Sequence, residues 1–146
     1  MVEYEITVEV PKKLEYLPEK SKEISKKAVT LTSHELIRNL KIKTPVDQGA
    51  ARSGWWKQSL GDDGVQVYNN ENYIIFLDQG TGLYGPYKTP ITPKKKKVLH
   101  WSKGGKDFFA KSVKGIQPRK IVEKSIKPTK RRVPQFVQMA VRSVGL

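Results

Sequence analysis

The chain has 146 residues, no cysteine and a formal net charge of +14. That length gives one domain with room for a core, and the missing cysteines exclude disulfides and thiolate zinc sites. No apolar run approaches the roughly 20 residues that span a bilayer, so no membrane partner is expected, and the opening MVEYEITVEV reads as neither a signal nor a transit peptide. The charge is unevenly placed: residues 1–90 hold 12 Lys/Arg and 12 Asp/Glu, whereas residues 91–146 hold 16 Lys/Arg against Asp107 and Glu123. Such a split fits a polyanionic neighbour as well as it fits a solvated surface.

In chain order, Val2, Tyr4, Ile6, Val8 and Val10 alternate with Glu3, Glu5, Thr7 and Glu9. That period of two predicts an N-terminal strand or arm over residues 1–10, acidic on one face. Pro18 and Glu19 suit a first helical turn, and Ile24, Ala28, Leu31, Leu36 and Leu40 recur at helical spacing, so a helix is predicted from about 18 to 42. Thr30, Thr32 and Ser33 weaken its middle, where a bend is expected. Thr44 precedes Pro45 and is pushed out of the α region, which stops the helix. A turn over Pro45–Gly49 follows, with Asp47 bonding backbone N–H groups, Gly49 at positive φ, and Arg52 starting a strand and facing Asp47.

Residues 53–60 and 64–69 read as a hairpin. Alternation places Trp55 and Trp56 on opposite faces, one inward and one exposed or covered by another subunit. Asn72 is placed to cap a short element over residues 73–77, helix or buried strand. Residues 80–97 form a Gly/Pro/Lys loop expected to be flexible. Residues 98–101 and 107–113, joined by Gly104 and Gly105, predict a second hairpin. Ile121, Val122 and Ile126 suggest a turn or two ending at Pro128, with Thr129 capping a final helix that points Val133, Phe136, Val137, Ala140, Val141 and Val144 inward.

Little of this suggests chemistry. Gly80, Gly82 and Gly85 satisfy G-x-G-x-x-G, but Pro86, Pro90 and Pro93 follow, so no helix opens toward a pyrophosphate. A tight turn or a close approach to another chain is the better reading of those glycines. His34 and His100 lack a second ligand at helical spacing, the acids are scattered, and no nucleophile elbow is present. Neither catalysis, nor a metal, nor a cofactor is expected. Trp55, Trp56 and Trp101 near Lys57, His100 and Lys103 fit either a core with a subunit contact or a stacking platform for single strands, and the first is preferred.

One stretch is more specific. Thr44-Pro45-Val46-Asp47-Gln48-Gly49-Ala50-Ala51-Arg52-Ser53-Gly54-Trp55 resembles the T-P-V-D-T-G-x-L-R-x-S-W signature of tail-completion, or neck, proteins of long-tailed phages. The likeness continues through Tyr73 to Asp78, Gly80, Thr81 and Gly82, similar to that family's Y-A-x-Y-x-E-x-G-T, and through Val113 to Gly115 and Pro118, similar to its V-x-G-x-x-P. Gln48, Ala51 and Asp78 depart from the pattern, and residues 2–10 lie outside it. The resemblance implies a single α+β domain, with an antiparallel sheet of about four or five strands and a long N-terminal and a C-terminal helix packed on it. It further implies a non-enzymatic virion protein, assembled in the host cytoplasm as a homo-oligomeric ring, expected to be hexameric, at the head–tail interface. Its partners would be head-connector and tail-tube or tail-terminator proteins. Lys94, Lys95, Lys96, Lys97, Lys103 and Lys106 are the candidates to face DNA or a partner. Glu3, Glu5, Glu9 and Trp56 are the candidates for subunit contact. The competing function is a basic nucleic-acid-binding module built on the Lys/Arg-rich second half, Lys111, Lys114, Arg131 and Arg132 included.

Overall fold

A computed structural model describes residues 20–47, 49–61 and 64–145. The predicted strand over residues 2–10, with Glu3, Glu5 and Glu9, lies outside them. The fold is α+β, and the described residues fall into two compact units: Tyr73–Lys120 form one, and the described residues on either side of that segment form the other.

The helical unit is built on α1 (Ser21–Lys43) and α4 (Ile121–Ser143), which pack most extensively on each other. Ile24 and Ala28 of α1 meet Ala140 of α4, with Val137, Val141 and Val144 packed around them. α1 runs without interruption through the stretch where a bend was expected. The hydroxyls of Thr30, Thr32 and Ser33 donate back to the carbonyls of Lys26, Ala28 and Thr30 at 2.8 Å, so they are satisfied within one continuous helix. Thr44 then turns extended, with ψ 125°, and ends α1 as its neighbour Pro45 requires.

Two expectations are overturned in this unit. Residues 50–53 form a helical turn, α2 (Ala50–Ser53), so Arg52 does not open a strand. Gly49 at φ 81° starts that turn, and the Ser53 and Gly54 amides donate to the Gly49 and Ala50 carbonyls. The second concerns α4, which runs unbroken through Pro128 and Pro134. Each proline removes one helical hydrogen bond, here to the carbonyls of Lys124 and Lys130. Both lysines are exposed, and burial of Ile121, Ser125, Thr129, Phe136 and Ala140 offsets a cost of about 3 kcal/mol per proline. Thr129 accordingly caps nothing: it lies mid-helix, donating to the Ser125 carbonyl and accepting from Asn39 Nδ2 at 2.9 Å.

β1 (Trp55–Ser59) and β2 (Val65–Asn69) form the predicted antiparallel hairpin, with Trp55 opposite Asn69 and Trp56 opposite Tyr68. Trp55, Val65 and Val67 turn inward, and Trp56 is 55% exposed, as alternation requires.

The second unit opens with α3 (Ile74–Gln79), so the short element is a helix; Tyr73 takes the N-cap position, with no capping side-chain bond. A single 3-10 turn spans Gly82–Tyr84. β3 (Leu99–Lys103) and β4 (Lys106–Ala110) pair antiparallel across Gly104 and Gly105, whose φ of 60° and 75° suits a tight two-residue hairpin turn. The expected sheet of four or five strands is therefore two separate two-stranded sheets. Among the described residues each hairpin pairs only with itself.

Candidate functional site

The motif residues gather at two places, one in each unit. In the helical unit they converge on Thr44, which is fully buried. Its hydroxyl donates to the Leu40 carbonyl at 2.7 Å and accepts from the Trp55 indole N–H at 2.9 Å. Its carbonyl accepts from Arg52 Nε and Nη2 at 3.2 and 2.9 Å. The guanidinium is thus spent on a backbone oxygen and not on Asp47, an exposed residue. Asn69, also fully buried and opposite Trp55 at the open end of the hairpin, does the same work: Nδ2 donates to the Ala51 carbonyl, and Oδ1 accepts from the Glu71 amide, both at 2.8 Å. The sequence marked Thr44 as a helix stop and the start of the motif, and Asn69 as the end of a strand, with no buried bonding role for either. A hydroxyl before proline, followed eleven residues later by tryptophan, is the signal that was there to be used.

In the second unit Gly80, Thr81, Gly82, Gly115 and Pro118 come together. The Thr81 and Leu83 amides donate to the carbonyls of Ile116 and Lys114, and the Ile116 amide donates to Thr81 Oγ1 at 2.9 Å. Ile91 bridges Val113, and the Arg119 and Lys120 amides reach the Leu77 and Asp78 carbonyls. A side chain on Gly82 would run into the Lys114 carbonyl, and one on Gly115 into the Thr81 carbonyl. The two segments therefore approach backbone to backbone, where only glycine fits. The close approach expected of these glycines is to this same chain.

Two cationic surfaces remain. An open groove of about 560 Å³ in the helical unit is lined by His34, Ile37, Arg38, Lys41, Ile42 and Arg52. Lys57 donates to His34 Nε2 at 2.6 Å; partial burial of the imidazole, then the adjacent ammonium, lowers its pKa. Arg132, beyond this groove, binds Glu35 at 2.9 Å and lies over the Phe136 ring. The other surface is the β3–β4 ribbon with its flanking lysines. Lys94, Lys95, Lys96 and Lys97 are exposed in a run of bends, and Lys103 and Lys106 face each other across the turn. Trp101 stacks on Phe108 at 5.7 Å and His100 on Phe109 at 4.6 Å. Trp101 is thus not core: it is 41% exposed and Phe109 is 66% exposed. Ser102 and then His100 donate to Asp107, which holds its carboxyl below the usual range.

Among the described residues no three His, Asp or Glu gather to hold a metal ion, and no helix is long and apolar enough to cross a membrane. Thr44, Arg52, Trp55 and Thr81 are committed to hydrogen bonds inside their own units, whereas Asp47 and Tyr73 are exposed. No family model, curated protein or solved structure matches the chain.

Proposed function

We propose that this protein is a non-enzymatic structural subunit that self-associates in the head–tail joint of a tailed phage or prophage, Tyr73–Lys120 supplying the surface that meets neighbouring copies and adjoining virion proteins. The observation that carries this is the imbalance of the second unit. Ile74 is its one large buried side chain, while Phe76, Tyr87 and Phe109 stand more than half exposed and Tyr84, Trp101 and Phe108 about 40% exposed. Apolar surface on that scale marks a contact region in a stable protein. A two-stranded hairpin without a covering layer is marginal alone, so the ribbon gains most from a partner. The ordered likeness to neck proteins, from Thr44 to Pro118, supplies the particular assembly.

The resemblance also fits where the motif residues go. Turns that hold a scaffold together, rather than groups aimed into a pocket, are what a structural family would keep. Ring contacts pair two different patches of one chain, and a basic second unit against an acidic patch on the next copy meets that need.

Sedimentation of the purified protein across concentration and salt tests the reading, with Phe76→Ser/Phe109→Ser as the comparison. Self-association that rises with concentration and is weakened in the double variant is expected. A strict monomer at high concentration in both low and high salt, together with particles that attach tails normally without this protein, would overturn it.

A further inference from the structure

We infer that one face of the β3–β4 ribbon is a binding site for single-stranded nucleic acid, a base stacking on Trp101 and phosphates meeting Lys103 and Lys106. The pairing register divides the ribbon into two unlike faces. Leu99 with Ala110, Trp101 with Phe108, and Lys103 with Lys106 share one face, because directly opposed residues point the same way. His100 with Phe109 and Ser102 with Asp107 share the other.

The ribbon's one carboxylate is on that second face, where Ser102 and His100 already bond it. The first face carries no acid. Along it the surface passes from aliphatic through aromatic to cationic, ending at the two lysines beside the turn. Trp101 and Phe108 lie 15° from parallel and hold each other across the strands, yet each remains 41% exposed. Cross-strand stacking accounts for the pair as a brace for the ribbon; it leaves the outer side of each ring open.

A flat π surface beside two unpaired-face cations matches a chain of bases and phosphates better than it matches an acidic peptide, which would engage the lysines and leave the rings bare. The surroundings favour a polyanion as well, since Tyr73–Lys120 contain eleven Lys/Arg against Asp78 and Asp107. Duplex DNA would reach the lysines but offers no base face, so the preference is for unpaired strands. Strand binding does not require self-association, and the two are tested at different residues: the association variant alters Phe76 and Phe109, which lie off this face.

The test titrates labelled oligothymidylate of about 12 nucleotides into the full chain, with anisotropy read over a range of salt. Trp101→Ala is expected to weaken binding about ten-fold or more. Lys103→Gln/Lys106→Gln is expected to lower the slope of log K against log salt by about 1.4, from two phosphate contacts on a single strand. Because Trp101→Ala also removes the cross-strand brace, the unaltered protein supplies a second readout: the indole N–H resonance of Trp101 shifts on adding the oligonucleotide, and that of buried Trp55 does not. Sedimentation of the same samples separates strand binding from subunit association. An unmoved Trp101 resonance, an unchanged salt slope in the lysine variant, or equal competition by polyglutamate or by duplex of matched charge would overturn the site.

Discussion

The two units are held together by different forces. Around α1 and α4, stability comes from removing side chains from water: Ile24, Leu36, Leu40, Val67 and Ile121 are almost wholly buried, and buried polar groups such as Thr44 and Asn69 are bonded on site. Between Tyr73 and Lys120, order comes from backbone bonds that tie the segment after α3 to the segment before α4, with almost no apolar burial behind them. Backbone bonds exchange for bonds to water at a net gain of only about 1 kcal/mol each, whereas a buried aliphatic side chain contributes about 2–3 kcal/mol. The first unit thus carries its own stability, and the second is a shaped surface whose remaining stabilisation is available to a partner.

Four substitutions sharpen or break that contrast. Leu40→Ala, at a site with no exposure, is expected to cost about 2–5 kcal/mol in denaturant unfolding of the helical unit. A loss below 1 kcal/mol would mean that this interior is not packed as described. Gly115→Ala forces a methyl against the Thr81 carbonyl at φ 100°, an expected cost of about 2 kcal/mol or more. It is read as lost hydrogen-exchange protection at the Thr81, Leu83 and Ile116 amides, with the unfolding midpoint of the helical unit unmoved. A shift of both together would erase the distinction between the units. Thr44→Val keeps the shape but strands the Trp55 indole N–H, and about 1–3 kcal/mol is expected from calorimetry.

The smallest effect is a pH dependence at His34. Its folded pKa is lowered, so the unfolded chain binds the proton more readily. Stability is therefore full above the ordinary histidine value and falls as pH drops through about 6.5 toward the folded pKa. With the ring largely in solvent the slope is shallow, and His34→Gln is expected to flatten it in urea midpoints taken between pH 7.5 and 5. An unchanged slope would mean that neither burial nor Lys57 makes His34 titrate differently in the folded and unfolded chain.

The elements that could be read in advance were those whose pattern is local. Helical spacing located α1, the Thr44–Pro45 step located its end, and paired turn residues located both hairpins. What escaped reading depended on distant partners. Pro128 looks like a stop until α4 is laid along α1, where the helix runs on through it. Alternation cannot say whether two hairpins share a sheet, so one sheet was expected where two stand apart. The glycines of the Gly80–Gly82 turn announced a close approach but not its object, since Gly115 lies far along the chain. Likewise Arg52 and Asp47 suggested an ion pair by proximity in sequence, yet the guanidinium takes the nearer, buried carbonyl of Thr44.

That α1 and α4 complete one another across the whole intervening segment has a consequence for synthesis. While the ribosome is making Tyr73–Lys120, α1 can lay part of its surface on α2 and the β1–β2 hairpin, but the Ile24–Ala28 patch still lacks the residues that cover it. The interior can close only after α4 emerges, when the Ile24–Ala28 patch meets Ala140 and Lys20 reaches the Val144 carbonyl at 2.9 Å. A product truncated before α4 therefore leaves Ile24 and Ala28 without the residues that cover them in the full chain.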